Sequence, residues 1–286
     1  MLLKIVSCTT LCYLAAAGSL VVLLVLLAVY FYIQHTMGIC KSKKRMDGKT
    51  VIITGCTSEE LIKESGNESI VTRKLDLSSF ASVREFAQQI NREEDRLDVL
   101  IHNAGTAQLF KKMVTEDGLE MTMATNQYGP FLLTHLLIGG KLYVFARLNL
   151  NNVNPTTSLP GYLYYVSKYA NIVFSLELAR RLEGSGVTVN CLHPGLISTG
   201  IWKAVPPPFS WILNTLLNTL SKTVEQGAQT TIYLAVSDEV NEISGKFFKD
   251  CKERELFCGV KDQAQAKKFW ELNEEMVKLQ STDPKI

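Results

Sequence analysis

Between Lys4 and Lys41 the chain carries no Asp, Glu, Lys or Arg. Inside that gap Leu14–Ile33 reads LAAAGSLVVLLVLLAVYFYI, and as a helix it would cover about 30 Å, the hydrocarbon thickness of a bilayer. Tyr13 stands at one end and Tyr30, Phe31 and Tyr32 at the other, where amphipathic rings favour the headgroup region. A cleaved signal peptide would have a shorter apolar core, about 7–15 residues, with small residues behind it. Here Ala15, Ala16, Ala17 and Gly18 come before the leucine run. The stretch reads as an uncleaved membrane anchor. Lys41, Lys43, Lys44 and Arg45 follow it directly, against Lys4 and the α-amine before it. The positive-inside rule keeps that cluster, and everything after it, in the cytosol. The same cluster also suits anionic lipid. Residues 1–40 are therefore expected to be a single-pass anchor and 41–286 a cytosolic body, with the Asn67-Glu68-Ser69 sequon unused.

Lys and Arg total 30 against 28 Asp and Glu, a formal charge of +2, which argues against a dedicated nucleic-acid binder. The seven cysteines (Cys8, Cys12, Cys40, Cys56, Cys191, Cys251 and Cys258) include no C-x-x-C pair, as in a reducing compartment without a zinc site. The four histidines show no ligand spacing, so no metal is expected.

The body alternates strand and helix. Thr50–Thr54 is a short β-branched run ending at Gly55, and Leu97–His102 is a second apolar run followed by Asn103-Ala104-Gly105. Ile70–Leu75, ending at Asp76, is a weaker strand pattern. Ser78 and Ser79 are candidate N-caps for a helix through Ile90, with Val83, Phe86, Ala87 and Ile90 at helical spacing. Further helices are predicted over Glu116–Ile138 and Tyr164–Leu182, and strands over Lys141–Phe145 and Val187–Cys191. The fold class is α/β, a doubly wound parallel sheet with helices on both faces, preceded by the transmembrane helix.

Tyr164 and Lys168 are four apart in a helical pattern, so they share one face. A nearby ammonium favours the phenolate and lowers a tyrosine pKa from about 10, which makes Tyr164 a candidate acid/base for an alcohol/carbonyl pair. The same spacing also arises by chance on a solvated helix face.

Taken together, Thr54-Gly55, Asp76, Asn103-Ala104-Gly105, Asn126, Tyr164-x-x-Ser167-Lys168 and His193-Pro194-Gly195 resemble, in order and placement, the short-chain dehydrogenase/reductase family over roughly Lys49 to Leu279. The stretch Asn126–Thr134, Ser244–Phe248 and Phe269-Trp270 look similar to its membrane-anchored, retinol-dehydrogenase-like branch. The resemblance implies a shortened Rossmann-like domain that uses NADP or NAD on a small lipophilic alcohol or aldehyde, at the endoplasmic reticulum. It makes Tyr164 the acid/base, has Lys168 lower its pKa and hold the nicotinamide ribose, and has Asn126 link a relay water to Lys168. Thr54 and Gly55 open the cofactor's glycine-rich turn, Asn103, Ala104 and Gly105 fall on the adenosine side, Asp76 and Leu77 at the adenine, and Pro194, Gly195 and Thr199 beside the nicotinamide. Asp76 also lies twenty-one positions after Gly55, the spacing of a ribose-binding acid. The apolar stretch Ile201–Leu220 falls where the family carries its substrate loop, and equally suits a helix resting on the bilayer.

Two departures stand out. The family's T-G-x-x-x-G-x-G turn appears as Thr54-Gly55-Cys56-Thr57-Ser58-Glu59-Glu60, with carboxylates where phosphate should approach. Cys56–Ser69 is long enough for one crossover, where the family has helix, strand and helix. Gly139–Leu148 contains no serine at the place of the family's catalytic one, and Ser158 is nearest to Tyr164. A missing oxyanion donor costs about 2.7–4 kcal/mol. The alternatives are an inactive anchored relative that acts through binding, or a shortened product of an active enzyme's gene. If the crossover is cut, Ile70–Leu75 should pair directly, in parallel, with Thr50–Thr54.

Overall fold

A computed structural model describes residues 8–56, 65–108, 111–137, 154, 159–197, 221–256 and 258–286. The first helix, α1, spans Cys8–Thr36, and its Tyr13–Thr36 part contains an 18-residue window of mean hydropathy 2.6 in which no residue is buried. It is long and apolar enough to cross a membrane.

β1 (Val51–Ile53) lies parallel to β2 (Val99–Ile101), with Val51 opposite Val99 and Ile53 opposite Ile101. Between them runs α2 (Phe80–Glu93), capped by the Ser79 side chain, which accepts from the Ser82 amide. It buries Phe80, Val83, Phe86, Ala87 and Ile90, the stripe its spacing predicted. The next rod begins with α3 (Met121–Met123), passes through a π-helical turn at Ala124–Tyr128, and continues as α4 (Gly129–Leu137). α5 (Pro160–Arg181) carries Tyr164 and Lys168. β3 (Cys191–His193) pairs in parallel with β4 (Phe247–Lys249), which turns tightly into antiparallel β5 (Lys252–Arg254). α6 (Val224–Val236) precedes that hairpin, and α7 (Gln263–Met276) follows it and packs on α5.

Phe131, Phe174 and Trp270, from α4, α5 and α7, meet at centroid separations of 5.0 to 5.7 Å and anchor the main core. Arg181 covers the Trp270 ring at 4.3 Å. At the entry to α4, a Cβ on Gly129 would overlap the Leu77 carbonyl, so only glycine lets the rod approach the turn before α2.

Several expectations are corrected. Ile70–Leu75 forms no ladder with β1 among the described residues. Asp76 instead draws the segment to the start of α2: its amide donates to Ser82 Oγ, and its carboxylate accepts from the Ser78 amide and hydroxyl. The helix predicted from Glu116 starts at Met121, because a turn at Thr115–Gly118 with left-handed Gly118 precedes it and Glu120 caps it. β3 starts at Cys191, not Val187: the Val189 carbonyl accepts from the Gly245 amide, but its own amide donates to Ser244 Oγ, and Asn190 meets the Ile243 and Lys246 backbone through its side chain. Among the described residues, strand pairing joins β1 to β2 and β3 to β4 and β5. The predicted Lys141–Phe145 strand, Ser158, Glu59, Glu60 and the Ile201–Leu220 stretch lie outside the described residues.

Candidate active site

β2 delivers His102 and Asn103-Ala104-Gly105 to one spot, and β1 delivers Thr54. The Thr54 amide continues the ladder to the Ile101 carbonyl at 3.0 Å. Its hydroxyl oxygen accepts from the amides of Asn103 and Ala104, both at 3.1 Å. Gly55 has φ +81, and a Cβ there would stand 2.7 Å from Ala104 Cα, so the two strand ends touch because residue 55 has no side chain.

Asn126 sits in the π-helical turn, a geometry often found at functional sites. Its Oδ1 accepts from the Thr106 amide at 2.8 Å, while Nδ2 donates to the Thr106 carbonyl and to Ser167 Oγ, both at 2.9 Å. Its own carbonyl accepts from Asn171 Nδ2 at 2.7 Å. Both Nδ2 protons and one Oδ1 lone pair of this buried amide are thus engaged, which fixes its orientation.

Lys168 lies opposite. A Cβ on Gly105 would stand 3.2 Å from Lys168 Nζ and 3.5 Å from Asn126 Oδ1, so Gly105, Lys168 and Asn126 converge. Burial lowers the Lys168 ammonium to about 8. Its Nζ is 5.6 Å from the centroid of the Tyr164 ring. Burial raises the Tyr164 phenol above its usual 10, with neighbouring Tyr165 adding to it, against the lowering expected from the sequence.

Behind these groups lies a cavity of about 10 Å³, lined among others by His102, Asn126, Lys168 and Asn171, with room for a single water. Thr134 spends its one hydroxyl proton on the Pro130 carbonyl, so His102 Nε2 must donate to Thr134 Oγ1, at 2.8 Å. His102 Nδ1 is then an acceptor, buried and without a partner among the described residues. Burial holds this imidazole neutral by lowering it to about 4. Sequence reading missed His102 because it ended an apolar run. It also gave no role to Ser167, whose hydroxyl donates to the Tyr164 carbonyl at 2.8 Å.

The other predicted residues fall into two groups. Asp76 lines a surface cleft of about 490 Å³ with Lys74, Ser78 and Ser82, while Leu77 is buried against Gly129. Pro194 and Gly195 follow β3; Gly195 has φ +97, its amide donates to His193 Nδ1 at 2.8 Å, and the Lys222 side chain fills the space a Cβ would need. Lys222 forms a buried ion pair with Asp250, which sequence reading did not anticipate. Thr199 lies outside the described residues. No cluster of metal-ligating side chains occurs among the described residues.

Parallel strands crossed by helices, with polar groups gathered at the strand ends, define a Rossmann-like α/β domain. A family model described as enoyl-(acyl carrier protein) reductase matches residues 44–249. The chain is 44% identical to human retinol dehydrogenase 14 over 234 residues, covering 75% of this chain and 69% of the relative. It is 34% identical to human retinol dehydrogenase 13 over 320 aligned residues, covering 94% and 95%. A Serratia marcescens short-chain dehydrogenase/reductase shares the fold at TM-score 0.53 and 18% identity, over 70% of this chain and 85% of that one. The chain belongs to the short-chain dehydrogenase/reductase family.

Proposed function

We propose that this chain is a membrane-anchored NAD(P)-dependent oxidoreductase of small lipophilic alcohols or aldehydes, retinoids foremost, with its catalytic body on the cytosolic face of the endoplasmic reticulum. The convergence of Lys168, Asn126 and Gly105 beside Tyr164 carries this reading, and the retinol dehydrogenase relatives support the substrate class.

One observation fits such a cofactor: Gly105 keeps the space before Lys168 free of a side chain. Lys168 would hold the nicotinamide ribose. Thr54, Gly55, Asn103 and Ala104 would line the adenosine side, with Asp76 and Leu77 at the adenine and Pro194, Gly195 and Thr199 at the nicotinamide. The cofactor supplies or accepts the hydride. Tyr164 exchanges the proton with the substrate oxygen. Burial favours the protonated phenol, the form that gives a proton to a carbonyl oxygen. Asn126 and Ser167 fix the backbone from which Tyr164 projects, and His102 with Lys168 bounds a one-water space that could resupply the proton.

A second reading, a non-catalytic relative that acts through binding, is favoured by the unpaired Ile70–Leu75 segment. The match to retinol dehydrogenase 13 spreads over 320 aligned residues against a chain of 286, so the relative carries residues that this chain lacks, as a shortened gene product would. Fluorescence titration of the detergent-solubilised full chain with NADPH and NADH separates the two. Micromolar binding, with aldehyde reduction lost in Tyr164→Phe, supports the enzyme. A folded, monodisperse protein that binds neither nucleotide leaves the second reading standing.

A further inference from the structure

The chain leaves α1 at Thr36 and reaches the body at once. Gly38 packs its backbone against the turn of the β4–β5 hairpin: a Cβ there would overlap the Asp250 carbonyl and stand 2.8 Å from the Cys251 amide nitrogen. The contact continues along α6. The Cys40 amide donates to Gln229 Oε1 at 3.0 Å, Ser42 Oγ donates to the Val236 carbonyl at 3.3 Å, and Lys44 pairs with Asp238. Two residues of chain span at most about 7 Å. With α1 across a bilayer, the hairpin turn is therefore held at headgroup level beside the point where the chain emerges.

That turn has an unusual charge pattern. Lys249 and Lys252 flank Asp250-Cys251 and are directly opposed in the antiparallel register, so two ammonium groups share one face of the hairpin. Like charges directly opposed are destabilising, and both side chains are exposed with no ion-pair partner among the described residues. Lys41 and Lys43 on the exit segment and Arg254 on β5 are exposed cations in the same condition. The acids nearby are largely spent: Asp250 on Lys222, Asp238 on Lys44 and Glu253 on Lys246 at 2.9 Å, leaving Glu255 and Glu239, which accepts from the Tyr233 hydroxyl. Lysines also shield exposed strand edges from pairing. That role needs neither a facing pair at the turn nor a turn fixed to the end of α1.

We propose that the β4–β5 hairpin is a second membrane contact, in which Lys249 and Lys252, joined by Lys41 and Lys43, bind the headgroup phosphates of anionic phospholipids in the leaflet from which α1 emerges. The proposal rests on the reading that α1 spans the bilayer. It assigns the two segments, 206 to 210 residues apart in the chain when Lys43 is set against Lys249 and against Glu253, to one surface.

The test is lysine acetylation footprinting, read by mass spectrometry, of the full chain in proteoliposomes of phosphatidylcholine alone or with phosphatidylserine. Alkaline carbonate extraction first establishes whether the chain is integrated; release by carbonate overturns the anchor reading and this proposal with it. For integrated protein, Lys249 and Lys252 should label about fivefold more slowly with phosphatidylserine present, and high salt should erase the difference. Lys267 on α7 serves as reference and should not change. Lys249→Gln/Lys252→Gln should reduce the protection remaining at Lys41 and Lys43. Equal hairpin labelling in the two compositions, or protection confined to Lys41 and Lys43, overturns the proposal while leaving the anchor intact.

Discussion

Asn126 Nδ2 lies 2.9 Å from Ser167 Oγ, and that hydroxyl donates in turn to the Tyr164 carbonyl at 2.8 Å. The π-helical turn is thereby bonded across to the helix that carries the Tyr–Lys pair. Ser167→Ala removes both bonds from a fully buried position and should cost about 1–3 kcal/mol. A fall of several degrees in melting temperature, with weaker nucleotide binding, is the expected outcome in thermal and fluorescence titrations.

Gly105→Ala should separate binding from stability. The added methyl would press on the far end of a flexible lysine at 3.2 Å, which can move, so the melting temperature should change little. The displaced Lys168 should weaken NADPH binding by about tenfold, roughly the 1.4 kcal/mol worth of one good contact. Because burial sets Lys168 near 8, wild-type affinity should fall as pH rises through that value, and a titration series from pH 7 to 9 reads it.

The Lys222–Asp250 pair calls for a double-mutant cycle. Both side chains are buried, so removing one strands the other's charge at about 3–5 kcal/mol. Lys222→Met and Asp250→Asn should each lower the melting temperature strongly, and the double variant should recover part of the loss. Additive losses would mean that the two groups are not coupled.

Acid should weaken the fold over a defined window. Burial lowers His102 to about 4, and burial followed by Lys249 and Lys222 lowers His193 to the same range. Their unfolded values lie near 6.5. As pH falls below that, the unfolded chain takes up protons that the native imidazoles refuse, so stability is full above about 6.5 and declines toward 4. His102→Gln keeps a donor toward Thr134 and should flatten the slope of melting temperature against pH between 6.5 and 4.5.

What the sequence revealed follows the range of each interaction. Tyr164 and Lys168 were legible because i,i+4 spacing on a helix is a local property, and the α2 core stripe was legible for the same reason. Ile70–Leu75 misled because its β-branched residues favour a strand, whereas the bonds of Asp76 to Ser78 and Ser82 decide where the segment goes. The direction of the Tyr164 shift was hidden because spacing announces a neighbouring lysine but not the burial that raises the phenol. Lys222 and Asp250 lie 28 residues apart and meet only through the fold, as do Gly38 and the hairpin turn.

Met37 alone separates the last residue of α1 from Gly38, so the body has no slack with which to swing. A flexible tether of some tens of residues would let a domain roam tens of ångströms above its membrane. Here, with α1 across a bilayer, tilt and height are inherited from the helix itself. The distance between bilayer and body is then constant. Inserting a few Gly-Ser residues after Met37 would make that distance variable without altering a single side chain of the site.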